Sequence, residues 1–136
     1  MEKELTLEAR IDNIPQVLDF VNKSIGAAEC PEETLLTIDM AVEELFTNIS
    51  SYAYAPDTGT ATVKVEVAGS PLSAVITFID KGVPYDPLAK KDPDMNEYAE
   101  EMPIGGLGIF MVKNSMDSME YKYENGQNIL TIKKNI

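Results

Sequence analysis

Residues 39–54, DMAVEELFTNISSYAY, set Glu44 and Asn48 four positions apart. On a helix their side chains share one flank, about 40° apart at 100° per residue. A carboxylate and a carboxamide stacked beside an apolar stripe can face a pocket rimmed by the core. The plainer alternative is a solvated helix flank. The chain has no histidine, which removes Ser-His-Asp triads, Cys-His dyads and ordinary zinc sites. Acid–base work therefore falls to carboxylates, lysine or tyrosine.

Two further stretches carry possible chemistry. In 80-DKGVPYDP-87 a run of β-branched residues ends on Asp80, with Gly82 two positions on. A carboxylate at a strand end is placed to accept a proton from a ligand's amino group, and glycine lets a backbone come close. An ordinary strand-ending turn has the same composition. In 105-GGLGIFMV-112, Gly106 and Gly108 open an apolar helix. Free amides and the positive dipole end favour phosphate there. Neither the P-loop pattern nor a strand-led dinucleotide fingerprint is present, and a flexible hinge is the competing account.

These residues need elements to position them. Residues 4–10 alternate and predict a first strand. Ile14, Val17, Leu18, Val21 and Ile25 recur at helical spacing, with Asp12 or Asn13 as cap and Pro15 in the first turn. Pro31, Glu32 and Glu33 open a second helix that runs to about Tyr54, with Leu35, Ile38, Val42, Leu45 and Ile49 as its core stripe. Strands over 60–68 and 72–80 read as a hairpin about Gly69-Ser70-Pro71. A loop rich in proline and acids follows, then a helix from Gly106. Strands over 118–124 and 128–134 turn at Asn125-Gly126. The predicted class is α+β, a two-layer sandwich of a mixed, mostly antiparallel sheet with helices packed on one face.

The 136 residues are read as one domain, 1–136, able to bury a core without disulfides. A formal charge of -12 argues against binding a polyanion over a broad surface. The lone Cys30 and the charged start MEKELTLEAR point to a cytoplasmic setting with no signal peptide. No apolar run is long enough to span a membrane.

The order of helix Glu-x-x-x-Asn, strand-end Asp-x-Gly, long loop and Gly-x-Gly opening a helix resembles the GHKL ATPases. These share the Bergerat ATP-binding fold of gyrase, heat-shock chaperones, mismatch-repair proteins and histidine kinases. The short domain, 84-PYDP-87 and the GLGIFMV run look like the anti-sigma-factor serine/threonine kinases, over about Glu4 to Lys134. The resemblance implies that Asn48 holds Mg²⁺ on ATP and that Glu44 is the general base toward an attacking hydroxyl. It implies that Asp80 accepts from the adenine amino group and that Gly82 admits the base. Gly106, Leu107 and Gly108 would meet the phosphates, residues 83–104 would form an ATP lid, and Thr131 or Asn128 would be the late-strand nucleotide contact.

Three positions depart from the family pattern. Tyr52 and Ala53 stand where many members have His-Gly. Ile104 and Gly105 stand where the kinases often place an arginine, and Arg10 is the sole arginine of the chain. Lys90 or Lys91 is the nearest cationic substitute. The late-strand threonine is the third departure. The implied function is phosphorylation of an anti-sigma-factor antagonist, with sequestration of a sigma factor as a second role and a homodimer as a common family state. A non-catalytic ATP-dependent regulatory module is the alternative. A histidine-kinase ATPase module is a third reading, and the chain carries no phosphoacceptor histidine.

Overall fold

Strand alternation and helix periodicity meet on one side of a single sheet. A computed structural model describes residues 2–26, 30–89 and 106–136. Its strands are β1 (Glu2–Glu8), β2 (Thr60–Ala68), β3 (Ser73–Asp80), β4 (Ser118–Glu124) and β5 (Gln127–Asn135). Its α-helices are α1 (Ile14–Gly26), α2 (Glu32–Asn48) and α3 (Gly106–Ser115). The sheet order is β1-β2-β3-β5-β4, and every described pairing is antiparallel, a narrower result than the mixed sheet expected.

Inward positions on the strands are Ala61, Val63 and Val65 on β2, Ala74, Ile76 and Phe78 on β3, and Leu130 and Ile132 on β5. The helices cover them with Val17, Val21 and Ile25, with Ile38, Val42, Leu45 and Phe46, and with Ile109 and Val112. Burying each large side chain stabilises the fold by roughly 1.5–3 kcal/mol before entropy. The stripe on α2 is rotated slightly from the one expected. Ala41 and Phe46 are buried, whereas Leu35 and Ile49 are partly buried at its margins.

Three local features differ from expectation. The first strand begins earlier, at Glu2, and ends at Glu8, where it pairs with Thr60. A 3₁₀ turn over Ile11–Asn13 leads into α1, and the Asn13 amide side chain donates to the Glu8 carbonyl at 2.9 Å instead of capping the helix. The second helix does not run as one α-helix to Tyr54. Beyond Asn48 it widens into a π-helical turn over Ile49–Ala53. Such turns are rare and gather at functional sites.

Topology builds the site. After β3 the chain passes through α3 to the sheet edge and returns by the β4–β5 hairpin, whose Asn125 and Gly126 both take positive φ. β5 is thereby inserted beside β3, and its first residues face the last residues of β3. Asp80 and Asn128 become partners in register. Among the described residues no helix is long and apolar enough to cross a membrane.

Candidate functional site

Asp80 sits where the inward alternation of β3 calls for another apolar residue after Ala74, Ile76 and Phe78, and it is 6% exposed. A buried carboxylate needs hydrogen-bond donors. Its Oδ1 accepts from the Gly82 amide at 2.9 Å and from the Asn128 side-chain amide at 2.9 Å. Both bonds use Oδ1, so Oδ2 is the oxygen left to meet a ligand. Asp80 lines a cavity of about 220 Å³ whose walls are chiefly apolar: Leu45, Ile49, Phe78, Val83, Ile109 and Leu130. Asn48, Tyr52, Ala53, Tyr85, Tyr121 and Asn128 complete much of the lining. A cavity walled mostly by hydrocarbon and lined by one carboxylate suits a heteroaromatic base bearing an amino group.

Gly82 joins this carboxylate to the π-turn that follows helix α2. A Cβ at position 82 would overlap the Ala53 carbonyl, so only glycine permits the approach. The same carbonyl accepts from the Val83 amide at 2.9 Å. The π-turn thus presents a main-chain oxygen that ties the segment after β3 to the end of α2. Tyr54 adds a second tie, since its hydroxyl donates to the Thr60 carbonyl at 2.6 Å and accepts from the Lys81 amide at 2.7 Å. Burial pushes the Tyr54 phenol above its usual range, the Lys81 bond opposes this, and Asp80 adds to it.

Glu44 and Asn48 part company slightly in the folded chain. Asn48 is half-buried in the cavity wall. Glu44, also half-buried, lies one turn back at the seam between α2 and α3, with its carboxyl directly over Gly108. A Cβ there would overlap both carboxylate oxygens, so glycine at 108 makes room for the acid. Desolvation raises the Glu44 pKa, and repulsion from Glu43 raises it further. A carboxylate so placed is a stronger base than an exposed one. Gly106 and Leu107 form the first residues of α3, whose opening amides have no partner within the helix.

Of the residues singled out in the sequence, Asn48 and Asp80 share the cavity, Gly82 donates to Asp80, and Glu44 meets Gly108. Thr131 is not brought there. It points to the opposite face of the sheet from Leu130 and Ile132, next to Thr77, with the two hydroxyls 3.4 Å apart. A strand alternates faces at every residue, so odd-numbered positions on β5 face away from the helices. Asn128, the other late-strand candidate, is the one that faces inward. Most of the expected lid, with Lys90, Lys91, Ile104 and Gly105, lies outside the described residues.

Sequence reasoning missed Tyr121. Tyr121 lines the cavity from β4 and donates to the Asn128 side-chain oxygen. Burial raises its pKa, a backbone bond from Tyr85 opposes this, and Asp86 and Asp80 add to it. Its signal was the inward alternation Met119, Tyr121 on an edge strand.

This combination of fold and site defines a class. The chain belongs to the histidine kinase-like ATPase domain family, whose model matches residues 7–134. Among curated relatives, the serine-protein kinase RsbW of Bacillus cereus strain G9842 is 30% identical over 98 residues, 69% of this chain and 60% of that protein. The serine-protein kinase RsbW of Listeria monocytogenes serotype 4a strain HCC23 is 29% identical over 106 residues, 74% and 66% respectively. The chain therefore aligns with about 60–66% of the length of these relatives. The crystal structure of the RsbU and RsbW domains of Rv1364c from Mycobacterium tuberculosis superposes with a TM-score of 0.69 at 16% identity, covering 99% of this chain and 32% of that one. The SiaB-SiaC complex from Pseudomonas aeruginosa gives a TM-score of 0.59 at 14% identity, covering 97% and 89%. At these identities the solved structures establish the shared fold.

Proposed function

We propose that this domain is an ATP-dependent serine/threonine protein kinase of the anti-sigma-factor type, acting in the cytoplasm on an anti-sigma-factor antagonist. Its second role is to hold a sigma factor. The observation that carries the reading is the Glu44 carboxyl, desolvated against Gly108 at the head of α3 and one helical turn from Asn48 in the cavity wall. The relatives' description as serine-protein kinases supports it.

In this reading the adenine ring enters the apolar cavity and its amino group donates to Asp80 Oδ2. The phosphates extend toward the opening amides of α3 at Gly106, Leu107 and Gly108. Asn48 suits Mg²⁺, because its half-buried carboxamide oxygen is a hard, neutral donor at the cavity wall. The cation would take further oxygens from the triphosphate and neutralise charge on it when bound. Glu44 receives the proton of the partner's hydroxyl as that oxygen bonds to the γ-phosphorus. The bond from the γ-phosphorus to the bridging oxygen breaks, and ADP leaves with the electron pair. The hydroxyl belongs to the protein substrate, so this chain needs no nucleophile of its own.

A second reading is a nucleotide-dependent binding module without catalysis. One specific observation favours it: the chain has a single arginine, Arg10, on the segment after β1. Phosphoryl transfer commonly uses an arginine to stabilise transition-state charge, and lysine lacks the bidentate fork. A partner-supplied cation reconciles the two. Calorimetry with ATP and ADP, each with Mg²⁺, tests the shared premise. We expect binding of both nucleotides; absence of any heat at millimolar nucleotide would remove both readings.

A further inference from the structure

Asn128 is the most heavily bonded polar side chain described in the molecule, and its task is not explained by holding two strands together. It is 6% exposed. Its Nδ2 donates to Asp80 Oδ1 at 2.9 Å and to the Val83 carbonyl at 2.9 Å, with the Gly82 carbonyl at 3.4 Å. Its Oδ1 accepts from the Tyr85 amide at 3.1 Å and from the Tyr121 hydroxyl. Three acceptors surround the nitrogen and two donors surround the oxygen, so the amide has one orientation and no spare capacity.

That saturation has a consequence for Asp80. A carboxylate held by the Gly82 amide alone has a local turn bond and remains free to rotate about the Cβ–Cγ bond. The second bond, from a residue directly opposite in register, fixes the plane of the carboxylate. Both bonds fall on Oδ1, so Asn128 together with the Gly82 amide sets where Oδ2 points. Asn128 is in turn set by Tyr85 and Tyr121, which also line the cavity. A ligand contact by the Asn128 side chain would break one of these bonds.

We propose that Asn128 is the positioning residue of base recognition: its carboxamide, held by Tyr121 and the Tyr85 amide, aims Asp80 at the amino group of the base and so determines selection of a 6-amino purine over a 6-oxo purine. This rests on the reading that Asp80 receives the adenine amino group. Asn128 itself touches no ligand. The same amide holds the carbonyls of Gly82 and Val83, so the segment leaving β3 and the base-recognising carboxylate move as one unit.

The test is the ratio of affinities for ATP and inosine triphosphate, which differs at the 6-position by an oxygen in place of the amino group. Calorimetry on the full chain should show a preference for ATP of about 10- to 100-fold, the scale of one hydrogen bond to a charged group. Asp80→Asn should bring that ratio close to one. Asn128→Ala should do the same, with the loss falling on ATP and the affinity for inosine triphosphate changing little. A residue that only stiffens the sheet would weaken both nucleotides equally and leave the ratio intact, and that result overturns the proposal. Asn128→Ala strips partners from several buried groups, so circular dichroism must show it folded. If it is not, Tyr121→Phe decides: a ratio reduced several-fold supports the proposal, and an unchanged ratio overturns it. An Asp80→Asn variant that keeps the preference defeats the adenine reading and this proposal with it. A preference lost in Asp80→Asn and kept in a folded Asn128→Ala defeats this proposal alone.

Discussion

The two ends of the site are built differently. At the Asp80 end, a carboxylate on a central strand is held by the Gly82 amide and the Asn128 carboxamide, with Tyr121 and Tyr85 behind them. At the Glu44 end, a carboxylate on a helix lies over Gly108 of a second helix, and burial works against its charge. Recognition of a base needs a fixed acceptor, and the first arrangement provides it through satisfied hydrogen bonds in a sheet. Proton abstraction needs a carboxylate with raised basicity, and the second provides it through desolvation with a like-charged neighbour, Glu43. Each acid has the surroundings that its proposed task requires.

The largest expected effect is at the Glu44 end. Glu44→Gln should slow phosphoryl transfer by about 10²–10⁴-fold, the usual worth of a general base, with nucleotide affinity almost unchanged. Rapid-quench kinetics beside calorimetry separates the two. A loss produced instead by Glu43→Gln would show that the exposed neighbour is the base.

At the other end, Asp80→Asn should weaken ATP by roughly 1.5–3 kcal/mol, about 10- to 150-fold, while transfer from saturated enzyme changes far less. Equal losses of affinity and rate in this variant would mean that the two ends are not separable.

A smaller effect follows from the Glu44 pKa. Its folded-state value is raised, so the neutral carboxyl is the form that folding favours. That contribution is complete below the ordinary carboxylate range and is lost as pH rises through the folded-state pKa. Glu44→Gln should therefore raise the melting temperature at pH 7 and lose the advantage near pH 4. The acid limb of the rate profile should lie above the usual carboxylate pKa, since the base must be ionised. A melting temperature lowered at pH 7 by this substitution would contradict the desolvation account.

The smallest effect expected is at Thr131. Thr131→Val keeps the β-branched shape on the sheet face away from the cavity, so ATP affinity should stay within about 0.5 kcal/mol of the parent. A substantial loss by calorimetry would place the nucleotide against that face.

How much of this could be read in the sequence depended on whether the signal was local. Asp80 was legible because a carboxylate breaks an apolar alternation at a strand end, followed by a glycine. The hairpins, the three helices and the one-sided packing followed from periodicity. The π-turn did not, because residues 49–53 have the composition of an ordinary helix end. The contact between Glu44 and Gly108 depends on how α2 packs on α3, which spacing along either helix does not specify. Thr131 was favoured by the family resemblance. Its parity with Leu130 and Ile132 would have sent it to the wrong face, and the same parity points to Asn128. The bond from Asn128 to Asp80 emerged only once register set the two residues opposite one another.

Whether Glu44 serves transfer of phosphate to a protein hydroxyl is decided by intact-protein and peptide mass spectrometry. The domain is incubated with ATP, Mg²⁺ and the protein that copurifies with it, in parallel with its Glu44→Gln variant. The account predicts one phosphate on a serine or threonine of the copurifying protein with the parent domain, and little or none in the same time with the variant. Nucleotide bound by both forms with no protein phosphorylated by either would contradict it and leave a binding module in its place.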